Sequence, residues 1–233
     1  MNILITGISS GIGKGLCTYY LEQGHSVWGM SRRGFGDTHP QLTDWQADLS
    51  DTDALPAALN GLDFPKAGFD LVVLNAGVLG RICDIVETTV DELRHTMTIN
   101  LWANKVLLDH LLTNNHCKDL IIGISSGASV NGNRGWNGYA LSKASLNMMM
   151  ALYAKEQPGL HFIALAPGLV DSAMQDNISA ISETGDLPSI ERIQSCRGTD
   201  TMPMPETFAP VFDDILPKLK TLDSGSFIDI RKM

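Results

Sequence analysis

The sequence predicts an α/β domain built on a doubly wound parallel sheet, and three observations lead to this. Apolar runs of strand length alternate with helical stretches through most of the 233 residues, which is typical of strand–helix–strand units. The runs mix Val, Ile and Leu without clean alternation, as expected of strands buried on both faces. A glycine-rich turn joins the first strand to the first helix. The length suits one domain, residues 1–233, whose core needs no disulfide or structural metal.

The elements follow in order along the chain. Strands are predicted at Asn2–Thr6, Ser26–Met30, Leu71–Leu74, Leu120–Ser125, His161–Ala166 and Ser226–Ile230, with another short one near Leu42–Ala47. Helices are predicted at Gly13–Gln23, Asp51–Asn60, Val90–Leu112, Gly138–Lys155 and Glu206–Lys220, the last interrupted or kinked at Pro210 or Pro217. The segment Asp171–Pro205 is rich in Ser, Asp, Thr and Pro and interrupts the alternation, which predicts a mobile substrate lid over about residues 171–205.

Charge and composition exclude several classes of protein. The net charge of -9 opposes binding to nucleic acid or to anionic membranes, both of which need a basic surface. The amino-terminal residues do not resemble a signal peptide, and no apolar run approaches the roughly 20 residues of a membrane-spanning helix. The four cysteines are scattered without metal-ligand spacing. We therefore expect a cytoplasmic protein with reduced thiols, no bound metal, and neither nucleic acid nor membrane as a partner.

The glycine-rich turn is the first candidate binding site. It lies between strand and helix, where backbone N–H groups and the helix dipole can meet a pyrophosphate. In this interpretation Gly7 permits the tight turn, Gly11 lets the backbone approach the phosphates, and Gly13 allows close packing of the helix. An ordinary strand-to-helix turn is the alternative. The turn predicts a Rossmann-like dinucleotide site with these cofactor-binding residues: Gly7, Ser9, Ser10, Gly11, Ile12 and Gly13.

Further motifs follow in a fixed order. They are Asp48-Leu49, Asn75-Ala76-Gly77, Asn100, Ser126, Tyr139-x-x-x-Lys143 and Pro167-Gly168. With the GxxxGxG spacing and its leading Thr6, they resemble the short-chain dehydrogenase/reductase family over nearly the whole chain. The carboxyl-terminal segment Phe227–Met233 departs from the family because it lacks the usual terminal Gly-Gly.

The resemblance implies roles along the coenzyme. Asp48, followed by Leu49, would bond the adenine amino group, and Asn75, Ala76 and Gly77 would line the adenosine half of the cleft. An N-cap for the helix near Asp51 is the alternative for Asp48. The segment that passes the nicotinamide carboxamide would supply Pro167, Gly168, Val170 and Ser172.

The end of the second strand predicts the coenzyme. NAD-preferring proteins place a carboxylate there to accept from the ribose 2′-hydroxyl. This chain has Ser31-Arg32-Arg33 instead, and Asp37 lies beyond two glycines. A guanidinium can pair with the 2′-phosphate, and Ser31 removes a repulsion against it. The pattern favours NADP(H) over NAD(H); the alternative is a solvated basic pair on a loop.

Tyr139 and Lys143 predict the chemistry. Their i, i+4 spacing places them on one helix face, where an ammonium at about 5 Å would lower the pKa of the phenol by about 2 units. By resemblance, Ser126 polarises the substrate oxygen, Asn100 holds a water that links Lys143 to solvent, and Lys143 also bonds the nicotinamide ribose. The expected reaction moves a hydride between NADP(H) and a carbonyl or alcohol carbon, with Tyr139 as general acid and base.

Two other classes compete with this interpretation. A nucleotide-sensing protein of the same fold does no chemistry, and such proteins usually lose the Tyr–Lys pair. A sugar-nucleotide epimerase needs a different glycine spacing and a larger carboxyl-terminal half. This sequence has neither the epimerase glycine spacing nor the larger carboxyl-terminal half. It does have the Tyr–Lys pair, which argues against the nucleotide-sensing class.

Substrate and assembly are the least constrained. Substrate choice is expected in residues 78–82, in residues 130–136 and around Met174, where Trp136 and Met174 are either packing or substrate wall. Arg81 and Arg134 either hold an anionic substrate or face solvent. By family analogy we expect a homodimer or homotetramer, with the helices Val90–Leu112 and Gly138–Lys155 paired across the interface.

Overall fold

A single parallel sheet organises the molecule. The computed structural model describes residues 1–182, 185 and 187–233. Its strands are β1 Asn2–Thr6, β2 Ser26–Ser31, β3 Leu42–Gln46, β4 Phe69–Leu74, β5 Cys117–Ile124, β6 His161–Ala166 and β7 Ser226–Asp229. They form a seven-stranded sheet in the order β3-β2-β1-β4-β5-β6-β7, with every neighbouring pair parallel. This confirms the predicted fold class. The order reverses between β1 and β4, which is where such sheets bind ligands, beyond the carboxyl ends of the strands.

Helices cover both faces of the sheet. They are α1 Gly11–Glu22, α2 Leu55–Asn60, α3 Val90–Met97, α4 Ala103–Thr113, α5 Asn137–Glu156, α6 Ala173–Ser179, α7 Pro188–Cys196 and α8 Pro205–Leu219. Because side chains alternate along a strand, Ile3 and Ile5 of β1 pack with α1 and α8, while Leu4 packs with α4 and α5 on the other face. None of the helices in the described part of the chain is long and apolar enough to cross a bilayer.

The predicted helix Val90–Leu112 is present as a continuous helical stretch from Val90 to Thr113, but it is not regular α-helix throughout. A capping box between Thr89 and Glu92 starts α3, and a π-helical turn at Thr98–Trp102 separates α3 from α4. Such turns insert an extra residue, and the 3.6-residue pattern of apolar side chains does not reveal one. The turn buries Asn100 and leaves Trp102 half exposed.

Two other helix predictions also differ from the structure. Residues 52–54 form a turn, so α2 starts at Leu55. The last helix, α8, is not interrupted at Pro210 or Pro217.

The segment Asp171–Pro205, predicted as a mobile lid, is helical in about half of its described residues. It contains α6 and α7, and its Ile178, Ile190 and Ile193 pack with Trp136 and Tyr139 in a third, smaller apolar cluster. Arg197 forms ion pairs with Asp171 and Asp176, at 3.0 and 2.5 Å, which join the two ends of the segment. Residues 183, 184 and 186 of the predicted lid lie outside the described residues.

Candidate active site

A cleft of about 570 Å³ opens at the carboxyl ends of the strands. Its walls include every predicted catalytic and cofactor-binding residue except Gly13 and Asn100. Those two lie directly behind it, Gly13 against Gly7 and Asn100 against Val78. The topology thus brings together motifs that are far apart in the sequence. The volume is that of a ligand pocket.

The glycine loop is held tightly against α1. Gly7 has a φ of +79°, and its N–H donates to Met30 O at 2.7 Å. A Cβ atom on Gly13 would lie 2.4 Å from Gly7 O, so only glycine fits there. Ser10 precedes α1 without a side-chain cap, and the first turn carries no acidic residue. The first N–H groups of the helix are therefore available to an anion.

Asn75 braces this loop. Its Nδ2 donates to Thr6 O at 2.9 Å, and the Thr6 hydroxyl accepts from the N–H groups of Asn75 and Ala76 at 3.0 Å each. A Cβ atom on Gly7 would lie 2.8 Å from Asn75 Nδ2. The Asn75 amide therefore fixes the glycine loop, in addition to lining the cleft.

Two exposed arginines flank the adenosine end. Arg33 reaches over the glycine loop, with Nη2 3.4 Å from Ser9 Oγ, and Arg32 lies near Asp48. Ser31 is buried, and its hydroxyl has no hydrogen-bond partner among the described residues. Asp37 does not line the cleft in the described structure.

Asp48 is not the N-cap of α2. Its carboxylate accepts from the backbone N–H and the hydroxyl of Ser50, at 2.9 and 2.8 Å, and Asp48 lies seven residues before that helix starts. These bonds, with Arg32 nearby, hold the pKa of Asp48 below its usual range. Leu49 is buried in the core beside it.

Three candidate catalytic side chains meet at the other end of the cleft. Tyr139 and Lys143 lie on α5, and Ser126 lies in the turn after β5. Ser126 Oγ accepts from Ala128 N–H at 3.1 Å, and its own hydroxyl hydrogen-bonds the phenol of Tyr139 in the cleft. The neighbouring Ser125 hydroxyl is bonded to Asn147 at 2.5 Å instead. Ser126 is therefore the serine available to a substrate.

The predicted lowering of the Tyr139 pKa is wrong for this structure. Burial raises the pKa of Tyr139 above its usual range, and the Ser126 hydroxyl acts in the opposite direction. Lys143 Nζ lies 5.8 Å from the centre of the phenol ring and donates to Ile124 O at 2.7 Å. Lys143 is 3% exposed, and burial lowers its pKa to about 8. Desolvation therefore dominates both groups.

Asn100 supports the site from behind. The π-helical turn aims its amide at the loop after β4, where Oδ1 accepts from Val78 N–H at 2.8 Å and Nδ2 donates to Val78 O at 2.9 Å. Nδ2 also lies 2.9 Å from Ser142 Oγ on α5. Asn100 thus ties this loop to the helix that carries Tyr139 and Lys143.

Two polar atoms in the cleft wall lack hydrogen-bond partners among the described residues, and a bound dinucleotide could supply them. Ser31 Oγ at the adenosine end and Gln175 Oε1 beside the lid are buried without partners among the described residues, and both line the cleft. At Gly11, a Cβ atom would lie 3.0 Å from Ser172 Cβ and would narrow the passage between the glycine loop and the lid. The predicted segment Pro167, Gly168, Val170 and Ser172 lines the same passage.

Of the two alternatives for Arg81 and Arg134, an anion site or a solvent-facing position, the structure shows the solvent-facing one. Arg81 pairs with Glu92 at 2.8 Å and Arg134 with Asp84 at 2.6 Å, both outside the cleft wall in the described structure. Arg192 of α7 and Arg231 near the carboxyl terminus line the cleft instead. Arg231 was predictable in one respect: a segment that follows the last parallel strand must start at the ligand-binding edge of the sheet.

The sheet order and the glycine loop at its switch point define an NAD(P)-binding protein of the Rossmann-like α/β class. A family model described as short chain dehydrogenase matches residues 1–182. The chain belongs to the short-chain dehydrogenase/reductase family and is an oxidoreductase of that family.

Curated relatives and solved structures agree with this family. The chain is 30% identical over 241 residues to a benzil reductase ((S)-benzoin forming) of Bacillus subtilis (strain 168), covering 98% of each chain. A benzil reductase of Saccharomyces cerevisiae is 28% identical over 237 residues, covering 93% of this chain and 90% of that protein. The crystal structure of KRED1-Pglu enzyme has the same fold, with a TM-score of 0.84, 22% identity, and coverage of 97% of this chain and 99% of that one. Solved structures of this fold hold NADH in one case and NADP⁺ in another.

Proposed function

We propose that this chain is an NADP(H)-dependent oxidoreductase that interconverts a carbonyl group and an alcohol, with Tyr139 as general acid and base. One observation carries the proposal: Ser126, Tyr139 and Lys143 line the same cleft as the glycine loop. A protein that only binds nucleotide has no need of a serine, a buried phenol and a buried amine at the end of that cleft. The relation to benzil reductases supports a ketone beside an aromatic ring as the test substrate.

Each side chain has a defined task in reduction. NADPH, when bound, supplies the hydride. The Ser126 hydroxyl donates to the carbonyl oxygen and polarises it. Tyr139 Oη gives its proton to the alkoxide as that oxygen gains charge. Lys143 keeps two N–H donors beyond the bond to Ile124 O, and these would be available to the ribose hydroxyls of a bound coenzyme.

The raised pKa of Tyr139 favours reduction near neutral pH. A phenol with a pKa above 10 is almost fully protonated at pH 7, which is the form that donates. Alcohol oxidation needs the phenolate, so its rate is expected to rise with pH while the rate of reduction falls. The positive ring of the oxidised coenzyme would lower this pKa in the oxidative direction.

The preference for NADP(H) rests on the three residues at the end of β2. Arg32 and Arg33 are exposed and line the cleft, while the buried Ser31 hydroxyl holds the place where a carboxylate would select NAD(H). NAD(H) remains the alternative coenzyme.

The first experiment is titration of the protein with NADPH and with NADH by fluorescence, followed by reduction of benzil. We expect NADPH to bind at least about 10-fold more tightly, since a charged hydrogen bond contributes about 1.5 to 3 kcal/mol. Arg32→Ala should remove that difference, with NADH affinity as the internal control. Binding of neither coenzyme would refute the proposal, and equal losses for both in Arg32→Ala would refute the preference.

We also propose a homodimer or homotetramer that works in the cytoplasm, with a lid at residues 171–205 that moves over the substrate. Leu141, Met148 and Leu152 support the assembly because they are exposed on α5 at a spacing that shares one helix face.

A further inference from the structure

The carboxyl-terminal segment brings a cation to the reacting end of the cleft. β7 pairs with β6 so that Asp229 lies opposite Ala166, directly before the Pro167-Gly168 segment. A short 3₁₀ turn, Ile230–Lys232, follows, and its Arg231 is part of the cleft wall. The pairing of β7 with β6 therefore places Arg231 in the cleft, although it lies near the carboxyl terminus of the chain.

Arg231 lies against the backbone next to the candidate catalytic groups. A Cβ atom on Gly127, the residue after Ser126, would be 3.3 Å from Arg231 Nη2. A Cβ atom on Gly168 would be 3.3 Å from Arg231 Cδ. The side chain thus spans from the segment that passes the nicotinamide to the turn that holds the substrate oxygen.

Asp229 fixes the direction of the guanidinium. Arg231 Nε donates to Asp229 Oδ1 at 2.8 Å and Nη2 donates to Oδ2 at 2.6 Å. The Asp229 side chain is 7% exposed and that of Arg231 is 49% exposed, so the carboxylate lies inside and the cation faces outward. A guanidinium has five N–H donors, and this pairing uses two of them. Three donors are left for a ligand in the cleft.

The charge of the cleft contrasts with that of the whole protein. Among the described residues, its wall carries one carboxylate, Asp48 at the adenosine end, although the chain has a net charge of -9. Its cations are Arg32, Arg33, Lys143, Arg192 and Arg231. Arg32 and Arg33 face the coenzyme's 2′-phosphate end, which leaves Arg192 and Arg231 for the substrate end. Arg192 is exposed and forms no side-chain hydrogen bond or ion pair with any described residue.

The remaining wall at this end combines apolar side chains with the polar side chains of Asn131, Asn133, Gln175 and Asn177. Leu79, Trp136, Ile178 and Ile193 line it, and Trp136 is held by a 2.8 Å bond from Nε1 to Ser189 Oγ. An aromatic or branched apolar group matches these side chains, while an anionic group matches the arginines.

We propose that Arg231 binds a carboxylate of the substrate beside the reacting carbonyl, and that Asp229 is its positioning residue. The substrate class is then a 2-oxo acid, or the matching 2-hydroxy acid, with an apolar or aromatic body. This inference rests on the proposed function, because the reacting carbonyl must lie between Ser126 and Tyr139.

A matched pair of ketones tests the inference: benzoylformate, an aryl 2-oxo acid, and its uncharged methyl ester. In Arg231→Gln we expect kcat/KM for the acid to fall on the order of 10- to 100-fold, mainly through KM, with the ester changed less than about 3-fold. Asp229→Asn should show the same selective loss at smaller size, and Arg231→Lys should restore part of the affinity for the acid. Arg94→Gln is the control, since Arg94 is an exposed arginine that pairs with Asp91 outside the cleft.

Binding of benzoylformate to the complex with NADP⁺, measured by calorimetry, gives a readout independent of turnover. We expect the wild type to bind it and Arg231→Gln to lose the affinity by a similar factor. Equal losses for acid and ester, or a matching loss of NADPH affinity, would overturn the inference, as would a wild type that reduces the ester but neither binds nor reduces the acid. Failure of the proposed function has a different signature: NADPH binds, yet acid, ester and benzil all remain unreduced.

Discussion

Burial of the Lys143 amine should make the free energy of unfolding depend on pH by a measurable amount. The pKa of Lys143 falls from 10.5 to about 8 in the folded protein, and the side chain is 3% exposed. One pKa unit corresponds to about 1.4 kcal/mol, so holding the charged amine in the fold costs about 3 kcal/mol at pH 7. We expect this cost to vanish in Lys143→Met, partly offset because Ile124 O loses its donor.

The pH dependence separates the cost of burying the charged Lys143 amine from the loss of its hydrogen bond to Ile124 O. Between about pH 8 and 10.5 the unfolded chain still holds a proton that the folded protein has released from Lys143, so wild-type stability rises with pH in this window. The cost falls to between about 1 and 2 kcal/mol at pH 9.5. The loss of the bond to Ile124 O contributes a nearly constant amount at every pH. The difference in unfolding free energy between Lys143→Met and wild type should therefore change by about 2 kcal/mol between pH 7 and 9.5, in favour of the wild type at higher pH.

Urea unfolding followed by circular dichroism at pH 7, 8, 9 and 9.5 measures this difference. Tyrosine ionisation affects wild type and variant alike and cancels when the two are subtracted. Lys155→Met is the matched control, because Lys155 is an exposed lysine on the same helix. A difference that stays within about 0.5 kcal/mol across the range would show that Lys143 is not desolvated in the fold, and the reasoning would be refuted.

Three further outcomes are expected. Tyr139→Phe should abolish turnover with NADPH affinity unchanged within a few-fold, since the phenol supplies a proton and not binding energy; normal turnover, measured with benzil, would remove the mechanism. Gly13→Ala should weaken NADPH binding at least about 10-fold in fluorescence titration, because its Cβ would lie 2.4 Å from Gly7 O, while the open site Gly132→Ala should leave binding unchanged. Leu152→Glu on the exposed face of α5 should shift the protein towards monomer in light scattering coupled to size exclusion, and an unchanged mass would place any interface elsewhere.

Most of the sheet was predictable, because apolar runs of strand length identify strands without long-range information. All seven predicted strands end within one residue of the observed carboxyl termini, where the site residues lie. At their amino ends, β4 and β5 begin earlier than expected, at Phe69 and Cys117. The glycine loop and the Tyr139–Lys143 pair were also placed in one cleft, since local spacing and the edge of a parallel sheet determine their positions.

Features that depend on contacts between distant elements could not be predicted from the sequence. The π-helical turn around Asn100 replaces a regular helix because the Asn100 amide bonds Val78 and Ser142 from distant elements. The pKa of Tyr139 was expected to fall because the i, i+4 spacing indicates proximity to Lys143, but spacing says nothing about desolvation. The ion pairs that occupy Arg81 and Arg134, and the cation at Arg231, likewise follow from packing.

The third apolar cluster has a consequence for how this protein responds to alkali. Tyr139 shares that cluster with Ile178, Ile190 and Ile193 of the lid segment, and it is small and separate from the two clusters that cover the sheet. Opening of the segment would admit water to the phenol and bring its pKa back towards 10. By linkage, loss of the phenolic proton must then favour the open form. Under the proposed lid motion, protonation of Tyr139 and access to the cleft would therefore be coupled: the protonated phenol would favour the closed form and the phenolate the open form.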